Sequence, residues 1–418
     1  GKPDSMEINK LDNAPFTAYQ KLVVFLLAMT QFTVVLDFMV MSPMGDILMK
    51  AIDLKPAQFG IAVSAYAFSA GASGLLTAGF ADRFDRKKLL LFFYSGFIIG
   101  TFCCSFANDY WTLVAARIIT GLFGGVIGSI SMAIITDIFT LQQRGRVMGF
   151  VQMGFGASQV LGIPIGLYIA NNWGWHSAFL WIAVMALIIV IIIAIKLIPI
   201  TAHIGLQKHQ SALKHLWLTF SQREYRIGFA ATALLSIGGY MMMPFGSAFA
   251  VNNLKVSHEQ LPMLFMISGI ASLIIMPIVG KLSDRYDKFK IFAFASLWLM
   301  VVVFIYTNLG VTPFYIVVIL NILMMAGILS RMTPSSALIT AVPEMKDRGA
   351  FMSISSSLQQ LAGGVAASLA GVIIVQETKE SPLEHYPTLG MSVILLSIIG
   401  IFMIYRVSSM IKKRKANS

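Results

Sequence analysis

The 418 residues are 57% hydrophobic and only 12% charged, with a mean hydropathy of +0.78. A soluble core can hide some apolar surface, but not a succession of runs about 20 residues long, so an ordinary soluble domain is excluded. The net charge of +12 does not indicate nucleic acid, because the bases sit in short loops beside apolar runs rather than on a phosphate-binding face.

Residues 1–20 read as a tag remnant before Met6 and a cytoplasmic tail, with no cleavable signal peptide. Apolar runs follow near 21–43, 58–80, 89–107, 111–136, 147–170, 177–198, 226–250, 261–282, 291–308, 313–340, 350–375 and 389–410. Each is long enough to cross roughly 30 Å of hydrocarbon as a helix. The first run holds Asp37, the only acid well inside a predicted span. A carboxylate there costs about 3 kcal/mol and should face a bundle interior or a watery cavity. Thr30, Thr33, Asp37 and Met41 follow at i, i+3, i+7 and i+11 on one helix face. Asp37 then reads either as a proton or cation site on a substrate-lining face, or as a structural acid paired with an arginine or backbone groups.

After the second run comes a charged island, Asp82-Arg83-Phe84-Asp85-Arg86-Lys87. Cys103 and Cys104 are adjacent in an apolar run and read as small apolar residues. Arg117 lies in the outer third of the fourth span, a depth Asp37 could share; the spacing supplies no distance between them. In the fifth span the glycines suit close helix approach, and Pro164 removes a hydrogen bond and should bend the helix. A leak-resistant contact between two halves and generic membrane packing both fit. Polar residues that could line a cavity are Tyr66, Gln152, Gln159, Tyr240, Asn321, Gln359 and Gln360.

The longest polar connection, 199–225, separates two sets of six spans, 21–198 and 226–410, and a basic tail closes the chain at 411–418. His203, His209 and His215 recur every six residues there, on different helix faces, so no metal site is expected. A second island, Asp284-Arg285-Tyr286-Asp287-Lys288, repeats the first at an offset of 202. Ala133-Ile134-Ile135-Thr136 with Arg144-Gly145 recurs at an offset of 204 as Ala337-Leu338-Ile339-Thr340 with Arg348-Gly349. The halves are a duplication in register. Arg331, in the tenth span, breaks it, because the offset lands on Ile127. It reads as an attractor of an anionic substrate group, a structural tie or a snorkelling base.

With the N-terminus cytoplasmic, 25 of the 31 Lys and Arg residues fall on that side. Lys50, Lys55, Lys255 and Lys379 fall on the other, and Arg117 and Arg331 lie within spans. Both termini are therefore expected inside.

On these features the chain resembles a major facilitator superfamily transporter over nearly its whole length. The family signature after the second span, approximately G-x-L-x-D-R-x-G-R-[RK], is matched by Phe80, Asp82, Arg83, Arg86 and Lys87, with Ala78 and Asp85 at the two glycine positions. The second copy keeps Gly280 and Leu282. Arg117 with Gly121, Gly124 and Gly125 resembles the R-x-x-x-G motif. Gly154, Gly162, Pro164 and Gly166 resemble the glycine-proline motif of antiporters, with one glycine of the terminal pair missing. The stretch from Leu36 to Pro43 and Trp173-Gly174-Trp175-His176 look like the bacterial drug:proton antiporter branch.

The resemblance implies an all-α membrane protein of twelve transmembrane helices in two pseudo-symmetric six-helix bundles. It also implies a monomer in the bacterial inner membrane, a role for Arg117 in proton coupling, and a cytoplasmic gate of Asp82, Arg83, Arg86 and Asp137. Asp284, Arg285 and Arg348 would serve the C-terminal interface. There is no phosphate-cradling loop, nucleophile elbow or metal cluster, so neither an enzyme nor a cofactor is expected. The expected activity is proton-coupled export of a small amphipathic solute by alternating access. Alternatives are import or uniport of a nutrient, including an anion drawn by Arg331, and lipid flipping.

Overall fold

The structure, a computed structural model, describes residues 15–77, 83–204 and 212–418. Asp82 and His209 lie outside these, as does the side chain of Gln152. A chain this apolar must satisfy its backbone polar groups internally, which in hydrocarbon means helices or a closed barrel. The first half comprises α1 (Ala18–Val40), the short α2 (Gly45–Ala51), α3 (Pro56–Thr77), α4 (Arg86–Ser105) and α5 (Tyr110–Ile138). Its fifth span is α6 (Leu141–Ala157), a π turn at Ser158–Gly162 and α7 (Ile163–Trp173), followed by α8 (Trp175–Lys196). Gly174, at φ 92°, makes the sharp link from α7 to α8 that a side chain would strain.

The second half holds α9 (Ala212–Ser221), α10 (Arg223–Tyr240), a tight turn at Met243–Phe245, α11 (Gly246–Asn252) and α12 (Leu261–Arg285). It ends with α13 (Lys288–Thr307), α14 (Phe314–Thr340), α15 (Arg348–Ile373) and α16 (Tyr386–Ala416). We call the end bearing Arg86, Lys196, Lys288 and Arg414 the basic face, and the opposite end the far face.

Among the described residues, eleven helical stretches are long and apolar enough to span a membrane. The expected eleventh span is α15, long enough at 26 residues but more polar, because it carries Ser353, Ser355, Ser356, Ser357, Gln359 and Gln360. Two expected spans break at the far face, each just before a proline. α1 ends ahead of Pro43 and α10 ahead of Pro244, and α2 and α11 follow as a repeated pair. The π turn comes just before Pro164, whose missing N–H interrupts the helical ladder. The connection expected at 199–225 is not all loop, for it contains α9, which leaves Trp217 exposed and turns His215 towards Asp347.

Three apolar cores show how the halves meet. Near the basic face one core is built from the N-terminal half alone, around Tyr94, Phe97, Ile127 and Val147, and another around Phe292, Val342 and Phe351 of the C-terminal half. Near the far face a single core takes residues from both, among them Leu36, Met44, Phe59, Phe245, Phe249 and Ala370. The halves thus share one core at the far face, while near the basic face each has its own buried core and they touch along α3 and α15, where Leu75 packs on the C-terminal core.

Close backbone approach makes the fusion possible. α3 runs against α15, where a Cβ on Gly60 would sit 2.6 Å from the Ala367 carbonyl oxygen and one on Gly371 3.0 Å from that of Pro56. Ser64 Oγ lies 2.7 Å from both the Gly364 carbonyl oxygen and Ser368 Oγ. Gly269 on α12 similarly approaches the backbone of Gln159. Gly60→Val should therefore destabilise the protein by about 1–3 kcal/mol through overpacking. Gly239→Ala, at a site open to a Cβ, should leave it unchanged. Thermal unfolding of the two purified variants beside the wild type checks both outcomes.

Candidate functional site

The late part of α1 and the early part of α5 place Asp37 and Arg117 within roughly 10 Å of the far-face ends of their helices. They meet there. Arg117 Nη1 donates to Asp37 Oδ2 at 2.9 Å and Nη2 to the Asp37 carbonyl oxygen at 3.3 Å. Thr101 Oγ1 of α4 donates to Asp37 Oδ1 at 3.3 Å, and the guanidinium lies 4.8 Å from the centre of the Tyr66 ring. The carboxylate is 0% exposed and the arginine 1%. A pair this deep persists only because each charge answers the other and further donors occupy the remaining lone pairs.

This arrangement corrects the expected cavity face. Thr30, Thr33 and Asp37 turn into the N-terminal bundle, where Thr33 Oγ1 lies 2.6 Å from Tyr94 Oη and Thr30 Oγ1 donates to the Leu26 carbonyl oxygen. Met41 is sealed in the shared far-face core, and Tyr66 packs beneath Arg117. The reason is rotational: the face of α1 that meets α4 and α5 lies opposite the one that meets the other half. The duplication adds a second point. The local offset of 201, set by Pro43 and Pro244, carries Asp37 onto Gly238, and the offset of 204 carries Arg117 onto Asn321, so the C-terminal half has a neutral counterpart. Asn321 Nδ2 donates to the Val317 carbonyl oxygen and lies 3.5 Å from Tyr306 Oη.

Tyr240, Gln359 and Gln360 do line a narrow pocket between the halves, together with Phe38, Ser42 and Met243. Gln159 is half-buried in the π turn facing α12. Arg331 is buried inside the C-terminal bundle, away from that pocket. Its Nε donates to Ser296 Oγ at 2.8 Å and its guanidinium lies 5.0 Å from the Phe292 ring centre. Among the described residues no carboxylate pairs with it.

The charged islands are divided in their tasks. Asp85 and Asp287, the second acid of each, cap the N-termini of α4 and α13. Arg86 Nε bonds Asp137 Oδ2 at 2.9 Å, joining α4 to α5 within one half. Arg83, Asp284, Arg285 and Arg348 are exposed. The buried acid beside Arg348 is Asp347, which accepts from Tyr225 Oη at 2.7 Å and His215 Nε2 at 3.1 Å. Burial works to raise this carboxyl, yet those two donors hold it below its usual range. The glycine motif also departs from expectation. Gly154, Gly162 and Gly166 pack against Ala28, Leu36 and Val40 of α1, in the same half. The contact between halves falls instead to Gly156, facing Leu273, and to Gly269, facing Gln159.

Sequence reasoning missed Asp46. This acid is 1% exposed and accepts from Asn252 Nδ2 at 2.7 Å, Lys50 Nζ at 2.9 Å and His258 Nε2 at 3.1 Å. Ser247 Oγ donates to the Ser42 carbonyl oxygen at 3.0 Å, and Lys379 pairs with Asp53 at 3.1 Å. Except for Lys50, these contacts cross between the halves. Burial would raise the Asp46 carboxyl, but the donors and the Lys50 charge hold it below the ordinary carboxylate range. Its one advance signal was the repeat, since α2 and α11 are equivalent elements that carry Asp46 and Asn252.

The sequence model of the Major Facilitator Superfamily matches residues 27–367 and 228–417. The chain is 27% identical to the uncharacterized MFS-type transporter YbcL of Bacillus subtilis over 91% of this chain and 95% of that one. Shorter stretches resemble two Schizosaccharomyces pombe proteins. The vacuolar membrane amino acid uptake transporter fnx2 is 34% identical over 44% of this chain and 30% of its own. The multidrug resistance protein fnx1 is 33% identical over 32% and 25%. The fold superposes on the inward-facing, occupied form of a bacterial homolog of the human lysosomal transporter Spinster. That match has a TM-score of 0.76 and 14% identity, and covers 94% of this chain and 98% of that one.

Two outcomes follow from these geometries. Arg117→Met strands a buried carboxylate and should cost about 3–5 kcal/mol, while adding Asp37→Leu should recover much of that loss. Equal unfolding temperatures for the single and double variants would contradict the coupling. At the far face, a depressed carboxylate contributes fully above its unfolded value of about 4 and is lost as pH falls through its lower folded value. Asp46→Asn removes the charge at every pH. It should raise maleimide labelling of a cysteine placed at Ser42 severalfold at neutral pH, with Cys103 and Cys104 changed to serine.

Proposed function

The chain belongs to the Major Facilitator Superfamily, and from that premise we propose that it is a proton-coupled secondary transporter exporting a small amphipathic solute. The observation that carries the coupling is the sealed Asp37–Arg117 pair, present in one half and replaced by Gly238 and Asn321 in the other. Buried acids of this kind in membrane helices mark proton pathways. A proton on Asp37 would cancel the charge that holds Arg117 and free the guanidinium to find another partner. That is a two-state element which a proton gradient can bias.

The excess of bases on one face supports a cytoplasmic basic face, with both termini inside a bacterial inner membrane. The buried cores near the basic face, one to each half and bridged through Leu75, favour opening towards the cytoplasm. Export is favoured by the resemblance to fnx1, whose name states multidrug resistance. The likeness to fnx2, an uptake transporter, makes direction a matter for experiment. The working unit on this reading is a monomer that needs a bilayer and no cofactor.

Purified protein in proteoliposomes, with pH gradients imposed in either direction, tests the reading. Solute should move against the proton gradient in wild type. Asp37→Asn keeps an acceptor for Arg117 but leaves its charge unanswered, so it should unfold at a lower temperature than wild type, and the folded protein should lose gradient-driven transport by at least about tenfold while retaining solute exchange without a gradient. Wild-type coupling in that variant would sink the proposal.

A further inference from the structure

α9 lies at the basic face against α10 and α15, and its sides are unlike. His215, Leu216 and Thr219 form the side turned to the bundle. Leu216 packs on the C-terminal core, Thr219 is buried, and His215 Nε2 donates to Asp347. Leu213, Trp217 and Phe220, at i, i+4 and i+7, form a second stripe about a third of a turn away. That stripe is open, with Trp217 68% exposed. Lys214, Leu218 and Ser221 share the next stripe round.

Two features say what covers the open stripe. α9 turns into α10 at Gln222, where Arg226 Nη2 donates to the Ser221 carbonyl oxygen at 2.6 Å. It therefore sits at the level where a membrane-spanning helix leaves the hydrocarbon. An open Leu-Trp-Phe stripe suits the boundary between acyl chains and headgroups, which tryptophan favours. The charge beside it is positive. Among the described residues neither Lys214 nor Arg223 has a carboxylate partner, and the nearby acid, Glu224, is taken by Arg414. Bases at a membrane surface attract anionic headgroups.

The helix is also tied inward. Phe220 stacks on Phe229 with ring centres 5.7 Å apart, and Phe229 on Phe351 of α15 at 4.6 Å. Asp347, held by His215 and Tyr225, immediately precedes α15. α15 in turn runs against α3 of the other half, and Leu75 of α3 packs on the core that holds Phe351.

We propose that α9 docks on the anionic lipid surface of the bilayer through Leu213, Lys214, Trp217 and Arg223, and that its ties to α15 let lipid charge bias the contact between the halves near the basic face. A lipid that binds this arrangement of α9 stabilises the arrangement of α15 that goes with it. Anionic lipid therefore favours the closed contact at Leu75. This docking is independent of the solute carried and of the ion that drives it.

Purified full chain in nanodiscs of phosphatidylcholine, with or without phosphatidylglycerol, tests the docking. Cys103 and Cys104 are changed to serine, and single reporter cysteines are added. A nitrobenzoxadiazole label on Leu213→Cys should be quenched by brominated acyl chains, about twofold more when phosphatidylglycerol is present, a gain that shrinks with salt. N-ethylmaleimide should label Leu75→Cys about threefold more slowly in the anionic discs. Its rate is taken relative to that of Tyr286→Cys, exposed on the same face, which cancels the effect of lipid charge on thiol ionisation. Lys214→Gln with Arg223→Gln should erase both lipid effects. His215→Ala with Phe229→Leu should keep the added quenching and lose the slower labelling. Reporters indifferent to phosphatidylglycerol, or lipid effects that survive loss of the two bases, would overturn the docking. So would a Leu213 label shielded from lipid in discs that hold two copies of the chain. Slower labelling that survives His215→Ala with Phe229→Leu would overturn the tie to α15.

Discussion

The arrangement of the whole molecule turns on one buried carboxylate at the far face. Asp46 takes hydrogen bonds from Asn252 and His258 of the opposite half as well as from its own Lys50. A carboxylate this deep is tolerable only while its acceptor sites are filled, so its hydrogen bonds favour the state in which the halves are together there. Around it the two halves share one apolar core, and glycines on α3 and α15 let their backbones touch. Near the basic face each half has its own buried core, with Leu75 of α3 the bridge to the C-terminal one.

The duplication is structural but not chemical. α2 and α11, and α4 and α13, are matched elements, even to the aspartate caps of the latter pair. The interior of the N-terminal bundle holds an ion pair, whereas the equivalent positions of the C-terminal bundle are an asparagine and a glycine. The C-terminal half keeps a different buried cation, Arg331, tied to Ser296 rather than to an acid.

Much of this was legible in the sequence because charge in a hydrophobic run is rare and costly. Asp37, Arg117 and Arg331 stood out for that reason alone, and the two islands for their repetition. What escaped notice did so for reasons equally physical. Asp46 sits in a short helix where a loop was expected, next to a lysine, and looked like an ordinary surface acid. Gly60 and Gly371 lie over three hundred residues apart, and neither occupies a motif that announces a partner. The glycines that did form a motif, Gly154, Gly162 and Gly166, pack on α1 of their own half.

By itself the sequence determined the helical spans, the duplication and the imbalance of bases between the two faces. These follow from local rules: backbone polar groups must be satisfied within each segment in hydrocarbon, and bases collect beside spans on one side. The tertiary structure alone decided that Asp37 and Arg117 are partners, that their face of α1 turns inward, and that the far face is the closed one. Those choices depend on the rotation and approach of helices far apart in the chain. Two residues on one helical stripe carry no record of which neighbouring helix they will meet.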